Sequence, residues 1–563
     1  MINRISYLNK FCYKCGIYIL YKCIKNMTII HVTTMGIPSY FSYIVKNHSN
    51  IIRKLSSNTI HVDNLYLDCN SIIYDIVHNI DFTKVNKENE TLEILNAICD
   101  KIDSYIFELK PSNIIYIAFD GVAPVAKLEQ QRGRRYKSVY QNMITKAIHK
   151  SSGPDPWNTT AITPGTIFMQ KLNDKIETYY NDCTKFGVSS LIVSTSKHAG
   201  EGEHKLFELI RECPEAHVDK NTIIYGLDAD LIMLSINHLP IAPNIYLFRE
   251  TPEFIKSINV ELEPNEAYVL DIPELASIIT LDMNNGNDLK VNRVYDYIFL
   301  CFFLGNDFMP HLPAVNIRTG GVDKMLQAYK ATIGNTNDIL TDGKTIYWKN
   351  VRRLVQFLAN LEEEFLKQET KQRDRKEKYP LPNITPEDQM NQFISIPLYD
   401  RSIEKKVNPF KPNWQERYYD NLFNMTANEA NVRAVCHNYL EALEWTMKYY
   451  TTGCPDWRWC YNYGYPPLLS DLIHHIPITN HEFVMCKPER PVSEQVQLCY
   501  VLPKQSLQYL PPNLYKKLLQ NHSKWYSTDC TFMWAYCRYF WEAHVNLPHI
   551  DINELEEFVN KNK

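Results

Sequence analysis

The sequence predicts an α/β fold: a mixed, mainly parallel sheet flanked by helices, with a second, largely helical region packed on it. Three observations carry this. Short β-branched and apolar runs, Leu65 to Leu67, Ile114 to Phe119 and Thr222 to Leu227, read as buried strands of a parallel sheet. Strand and helix patterns alternate from Asn58 to about Gln327, as successive βα units require. A second apolar, aromatic-dense region runs from about Trp414 to Val559.

In chain order, residues 1–34 mix Lys, Tyr and Cys with a short apolar stretch, Gly16 to Tyr21. Its Lys flanks weakly resemble a signal segment, but no small-residue cleavage site follows. Met27 and Met35 offer alternative starts, so residues 1–34 are expected to be an extension outside the core, which occupies residues 35–350. Leu92 to Leu109 is expected to be helical, with apolar residues at 92, 94, 95, 98, 102, 105, 106 and 109. Lys127 to Tyr140 reads as a charged helix, His204 to Arg211 as a helix opened by a glycine-flanked turn, and Tyr295 to Leu304 as an apolar helix leading into Gly305-Asn306-Asp307. Trp348 to Glu369 continues as an amphipathic helix. The charge run Lys371 to Lys378 is expected to be a solvated linker, and the Pro- and Asn-rich Pro380 to Pro412 a loop. Residues 351–413 are thus expected to be a helix and linker, and residues 414–563 a second region.

At 563 residues the chain exceeds one ordinary core, and 45% hydrophobic content excludes wholesale disorder. A net charge of −4 exerts no global pull on nucleic acid, so any such binding needs a local basic patch. The fifteen cysteines are scattered, and only Cys12 and Cys15 form a CxxC. No second pair completes a zinc site, and a chain this size needs no disulfide staples, which fits a reducing, intracellular compartment; the cytoplasm is expected rather than the nucleus. No apolar stretch reaches the roughly 20 residues that span a bilayer.

The chemistry lies in seven acids: Asp68, Asp120, Glu201, Glu203, Asp228, Asp230 and Asp307. Most stand where an apolar run stops, the end of the strand at which open α/β sheets place ligands. A lone Asp there is usually a helix cap or turn residue. Asp228/Asp230 and Glu201/Glu203, however, repeat an i, i+2 spacing that puts both side chains of an extended pair on one side. Two such pairs and three further acids are hard to explain as caps. Carboxylates converging without enough Lys or Arg would repel, and Mg²⁺ or Mn²⁺ is their natural neutraliser. The cluster reads as a metal-dependent phosphodiester hydrolase.

Directly after Asp120, Lys127, Gln131, Arg134 and Arg135 fall at i, i+4, i+7 and i+8, so one helix face carries three cations and an amide while Arg132 points elsewhere. An isolated face of this kind is usually just solvated; beside an acidic strand end it suits a terminal phosphate.

Several segments together resemble the Xrn family of 5′→3′ exoribonucleases: Met35-Gly36-Ile37-Pro38, Leu67 to Ile73, Phe119 to Pro124, Gln130-Gln131-Arg132, Gly200 to Lys205, Gly226 to Leu231 and Gly305 to His311. Trp457-Arg458-Trp459, Tyr461 to Pro467, Ser470 to Leu472, Val501 to Pro503 and Leu547 to Asp551 resemble that family's second conserved region, which flap endonucleases lack. The likeness runs in the family's order through most of residues 35–563 and implies a 5′-nuclease, PIN-like core. By resemblance the seven acids hold two divalent ions, Mg²⁺ or Mn²⁺, one lowering the pKa of the attacking water and the other stabilising the departing oxygen. Lys127, Gln131, Arg134 and Arg135 would grip the RNA 5′-monophosphate, and residues 414–563 would close over the active site, Trp457 or Trp459 stacking a base and the other being core. Tyr74 stands where the family usually has a base-stacking His. The expectation is a monomeric, processive exoribonuclease of mRNA decay that degrades 5′-monophosphorylated single-stranded RNA to mononucleotides, partnered by decapping machinery. The chain's end soon after the second region suggests a compact, core-only member, and the Asn/Ile/Lys/Tyr-heavy composition would suit a large DNA virus. The alternatives are a flap-type DNA nuclease and a catalytically dead RNA-end-binding scaffold.

Overall fold

The computed structural model describes residues 39–55, 60–82, 84–150, 157–286, 291–528 and 530–562. The extension read for residues 1–34, and the Met35-Gly36-Ile37-Pro38 start, lie outside them.

A seven-stranded sheet organises the chain: β1 (Ile52–Lys54), β2 (Asn64–Asp68), β3 (Ile114–Ala118), β4 (Ser190–Ser194), β5 (Thr222–Tyr225), β6 (Ile245–Glu250) and β7 (Ala267–Asp271), in the spatial order β1-β7-β6-β5-β2-β3-β4. Strands β6, β5, β2, β3 and β4 run parallel, while β1 and β7 add an antiparallel edge. The mixed, mainly parallel sheet that the sequence predicts is the observed one. Side-chain alternation sorts two cores. Leu65, Leu67, Ile115, Ile117, Ile223 and Tyr225 pack on one face against the helix Glu90–Leu109. Within that helix only Leu92, near the first turn, departs from the expected buried face, at 54% exposed. Tyr66, Tyr116 and Ile224 face the other way, into a larger core that includes Tyr297 to Leu304, Trp348 to Leu358 and Tyr439 to Tyr450. The helical half of the chain therefore shares its hydrophobic interior with the sheet. A third cluster joins Val122, Val125 and Leu128 to residues between Val492 and Val559. A small ribbon, β8 (Thr531–Met533) with β9 (His544–Asn546), completes the strands.

Three local expectations are corrected. The basic helix is longer than Lys127 to Tyr140, running from Val125 to His149. The charge run after Glu369 is no solvated linker: the helix Trp348–Glu377 continues through it. Within Pro380 to Pro412, Pro386–Ile394 and Ser402–Val407 are helical, the first opened by a Thr385/Asp388 capping box with Pro386 in its first turn. The reason is a buried ion pair that composition does not disclose. Arg373 donates to Glu404 at 2.7 and 3.0 Å and to the carbonyls of Pro397 and Cys537 at 3.0 and 2.9 Å, while Arg401 holds the same carboxylate at 2.6 Å. Arg373→Met is expected to destabilise by about 3 kcal/mol, the lower end of breaking a buried pair because Arg401 still covers Glu404. Urea unfolding measures this, and a loss below about 1 kcal/mol would show that Arg401 suffices.

Candidate active site

Strand β2 lies at a topological switch point: β3 and β4 extend the sheet on one side, β5 and β6 on the other. Ligand crevices form at the carboxyl ends of strands at such points. Asp68 ends β2, Asp120 stands just beyond β3, and Asp228 just beyond β5. Asp230 opens the helix Asp230–His238; Glu201 precedes the helix Gly202–Glu212, and Glu203 lies in its first turn. Gly202 lets that helix end touch the sheet: its N–H donates to Asp120 Oδ1 at 2.7 Å, and a Cβ there would stand 2.5 Å from Asp68 Oδ1. Asp307 follows Gly305, whose φ of 84° turns the chain where a Cβ would meet His311 N at 2.7 Å.

The acids are buried together. Burial first, then the charges of Asp120, Asp228 and Glu201, push the Asp68 carboxyl well above its ordinary range. Glu203 is raised likewise by burial and by Asp228 and Asp230, and Asp228 is pushed up to about 6 by burial and by Asp307. Buried Lys205 feels the charges of Asp120 and Asp68, and buried Arg249 that of Asp228, but the cation paired directly with the acids is Lys127. Lys127 pairs with Glu201 and, at 2.8 Å, with Asp307; burial alone would depress its ammonium, but these carboxylates outweigh that and hold it well above the lysine range. Gln130 adds a bond to Asp307 Oδ1 at 3.0 Å, and Asn70 joins both the side chain and the N–H of Asp120.

Lys127 thus offsets only part of the negative charge. Asp68 Oδ1 and Glu203 Oε2 are buried without a hydrogen-bond partner, and a donor set made of carboxylate oxygens suits a hard divalent cation. Asp68, Asp120, Glu201, Glu203, Asp228, Asp230 and Asp307 are the residues that would hold it. Among the described residues no three His, Cys, Asp or Glu side chains already converge as a ready-made metal site: the carboxylates are gathered around the switch point without being drawn onto one point.

The rest of the basic face lies farther along Val125–His149. Arg135 donates from Nη2 to Thr163 Oγ1 at 2.7 Å, while its Nη1, and Oε1 of Gln131, are buried without a partner. Burial pushes the Arg135 guanidinium down to about 10, the Tyr74 hydroxyl works against that shift and Arg134 adds to it, so these three side chains are electrostatic neighbours. Arg132 points elsewhere, as its helical position requires, donating to the carbonyls of Trp525 and Pro548 at 3.1 and 2.9 Å. Tyr74 is half-buried on the helix Asn70–Asn79 against the sheet's core.

The two tryptophans have different surroundings. Trp459 stacks on Trp445 at 5.1 Å, Trp445 on Tyr449 at 4.9 Å, and Tyr449 on His204 at 3.8 Å, while the Tyr449 hydroxyl donates to Glu201 Oε1 at 2.8 Å. Trp457 belongs to no core cluster of the described residues, and its carbonyl accepts from the N–H of Val125 at 3.0 Å, at the start of the basic helix. Sequence reasoning missed Tyr449: in Glu429–Thr451 it reads as one more apolar position. Asn70 and Gln130 it quoted only as motif letters; their amides beside acidic residues were the available signal.

Clustered carboxylates at the switch point of a parallel sheet, adjoining a basic helix whose first turn is buried, fit an α/β nuclease. The sequence matches the XRN 5′-3′ exonuclease N-terminus over residues 35–251 and the Xrn1 helical domain over residues 289–396 and 383–563. The chain belongs to the Xrn family of 5′-3′ exonucleases. It is 28% identical to 5′-3′ exoribonuclease 1 of Saccharomyces cerevisiae, over 85% of this chain and 40% of that protein. It is 26% identical to the 5′-3′ exoribonuclease 2 homolog of Drosophila melanogaster, over 92% and 70% respectively, and 26% identical to 5′-3′ exoribonuclease 2 of Gallus gallus, over 92% and 69%. The chain therefore spans less than half of the yeast relative. Among the described residues no helix is long and apolar enough to cross a membrane.

Proposed function

We propose that this protein is a processive 5′→3′ exoribonuclease that degrades 5′-monophosphorylated single-stranded RNA to mononucleotides in intracellular, cytoplasmic mRNA decay. The observation that carries the reading is one helix serving two places: Lys127 sits among the acids, and Arg135, about 12 Å further along the axis, keeps a buried Nη1 without a hydrogen-bond partner. A chain end held at Arg134, Arg135 and Gln131 lays its first linkage toward the acids, so polarity follows from the length of the grip. The seven carboxylates would hold two ions, Mg²⁺ or Mn²⁺, which would supply Lewis acidity to the attacking water and the leaving oxygen. Lys127 orients Glu201 and Asp307, Tyr449 fixes Glu201 from the helical half, and Asn70 with Gly202 fixes Asp120. Trp457, tied to the first residue of the basic helix, is the better placed of the two tryptophans to meet a base; Trp459 is committed to its ring stack. A decapping enzyme or phosphatase would supply the monophosphate end.

The test is one substrate panel: RNA ending in 5′-monophosphate, 5′-triphosphate or a cap, and 5′-monophosphorylated single-stranded DNA, each with Mg²⁺ or EDTA. Only the monophosphorylated RNA with Mg²⁺ is expected to release mononucleotides steadily. Internal cuts, or equal decay of the triphosphorylated RNA, would overturn the reading.

A further inference from the structure

Apart from the acidic site, cations gather around a small cavity of about 40 Å³ walled by Arg318, Glu369, Gln372, Arg373, Lys376 and Arg538. Three segments meet there. The stretch carrying Arg318 follows the loop of Asp307, the helix Trp348–Glu377 brings Gln372 to Lys376, and the turn before β9 brings Arg538. Two of the four cations are satisfied within the fold: Arg318 pairs with Glu542 at 2.6 Å, and Arg373 with Glu404 at 2.7 Å. The other two are not. Among the described residues no carboxylate pairs with Lys376 or with the Arg538 guanidinium, and Arg538 Nη1 is buried without a hydrogen-bond partner. Burial, then the like charge of Arg538, holds the Lys376 ammonium below its ordinary range, which places the two cations near each other. Glu369 is the one acid in the wall, and it leans on Arg373 at 4.0 Å.

Surface Lys376 and half-buried Arg538, neither paired with a carboxylate, and one orphaned donor beside a partly open recess suit an oxyanion. The recess admits about three water-sized groups, room for the inward oxygens of a phosphate group whose remainder faces solvent. We propose that this cavity binds one oxyanion of the phosphate class, held by Lys376 and Arg538 with Gln372 in the wall. The anion is either a phosphodiester of the RNA chain downstream of the cleaved end or free inorganic phosphate. The first source rests on the exoribonuclease reading; the second does not.

The experiment uses the full chain with Lys376→Gln and Arg538→Gln, singly and together. Inorganic phosphate is titrated by calorimetry against chloride at fixed ionic strength, in an Arg134→Met/Arg135→Met background that removes the terminal-phosphate pocket. The double substitution is expected to weaken phosphate at least about tenfold, and Lys376→Gln alone about threefold. Lys376 is exposed at the surface, so that variant folds even where Arg538→Gln does not. In a second arm, Arg134 and Arg135 are intact and steady-state kinetics compare two monophosphorylated RNAs, one of roughly 30 nucleotides and one of about four. A Michaelis constant raised severalfold for the long RNA alone, at unchanged kcat, identifies the phosphodiester source. Weakened phosphate with neither Michaelis constant changed identifies free phosphate. Folded variants that bind phosphate as tightly as their background and degrade both RNAs normally would overturn the proposal. The cluster would then be an ion-pair network of the fold. Should no RNA be degraded by any form, the phosphate titration still decides the site while the exoribonuclease reading falls separately.

Discussion

Asp228→Asn is expected to abolish RNA hydrolysis, by about a thousandfold or more, in a chain that remains folded and is no less stable. The rate loss follows from charge. A cation at a phosphoryl site contributes several kcal/mol of charge stabilisation, about three decades at 1.4 kcal/mol each, and an amide holds it far less well than a carboxylate. Stability moves the other way because Asp228 is buried beside Asp307, with Asp68 and Glu203 also feeling its charge. Its folded pKa of about 6 lies above the ordinary 3.8, so between those values the folded state binds more protons than the unfolded. In cation-free protein, stability therefore falls as pH rises from about 4 to about 6. The substituted amide cannot take up that charge, and its oxygen can still accept from the N–H of Asp230, as the Asp228 carboxylate does at 3.3 Å. Chemical denaturation at both pH values should show a flatter dependence for the variant, not flat, since Asp68 and Glu203 are also raised. Folded Asp228→Asn with near wild-type turnover would remove Asp228 from the cation site.

The acids were legible because their chemistry is local. Most stand at a strand or helix end, though the i, i+2 pairs are not extended as expected: Asp230 and Glu203 each lie in the first turn of a helix, which is what brings them beside Asp228 and Glu201. The strands that position Asp68, Asp120 and Asp228 were legible for the same reason: strands buried on both faces read as continuous apolar runs. The sequence did not disclose what depends on distant partners. Arg373 looks like one letter of a solvated charge run until Glu404 and the Cys537 carbonyl are seen around it. Lys127 looks like the first member of a phosphate-binding face, and its helical spacing is right. Only the fold shows its ammonium among carboxylates instead. Tyr449 reaches Glu201 from far along the chain, and no periodicity distinguishes it from Tyr450 beside it. Trp457 and Trp459 are the same residue type at nearly the same position, and only the fold separates them: Trp459 stacks on Trp445, while the Trp457 carbonyl is tied to Val125.

Neutralising Arg134 and Arg135 together is expected to slow decay of 5′-monophosphate RNA by at least about a hundredfold while changing slow attack on 5′-hydroxyl RNA much less. A charge-assisted hydrogen bond contributes roughly 1.5–3 kcal/mol, so losing two reaches two decades at about 1.4 kcal/mol per decade even at the low end. Arg135 has its Nη2 committed to Thr163 and its Nη1 buried without a partner, so a terminal phosphate would complete a guanidinium the fold leaves half-bonded. Burial already disfavours that charge, so Arg135→Met removes a strained cation, and loss of fold does not explain the rate; circular dichroism and melting temperature check this. Arg134, half-exposed on the same face, should contribute the smaller share when substituted alone. The hydroxyl substrate is the control that matters, because its end carries no phosphate for the pocket to hold. Equal losses on both substrates would make the helix a general backbone-binding or structural face. The inferred polarity would then have to come from Lys127 and the acids alone, which lie where the linkage is cut and not where an end is held.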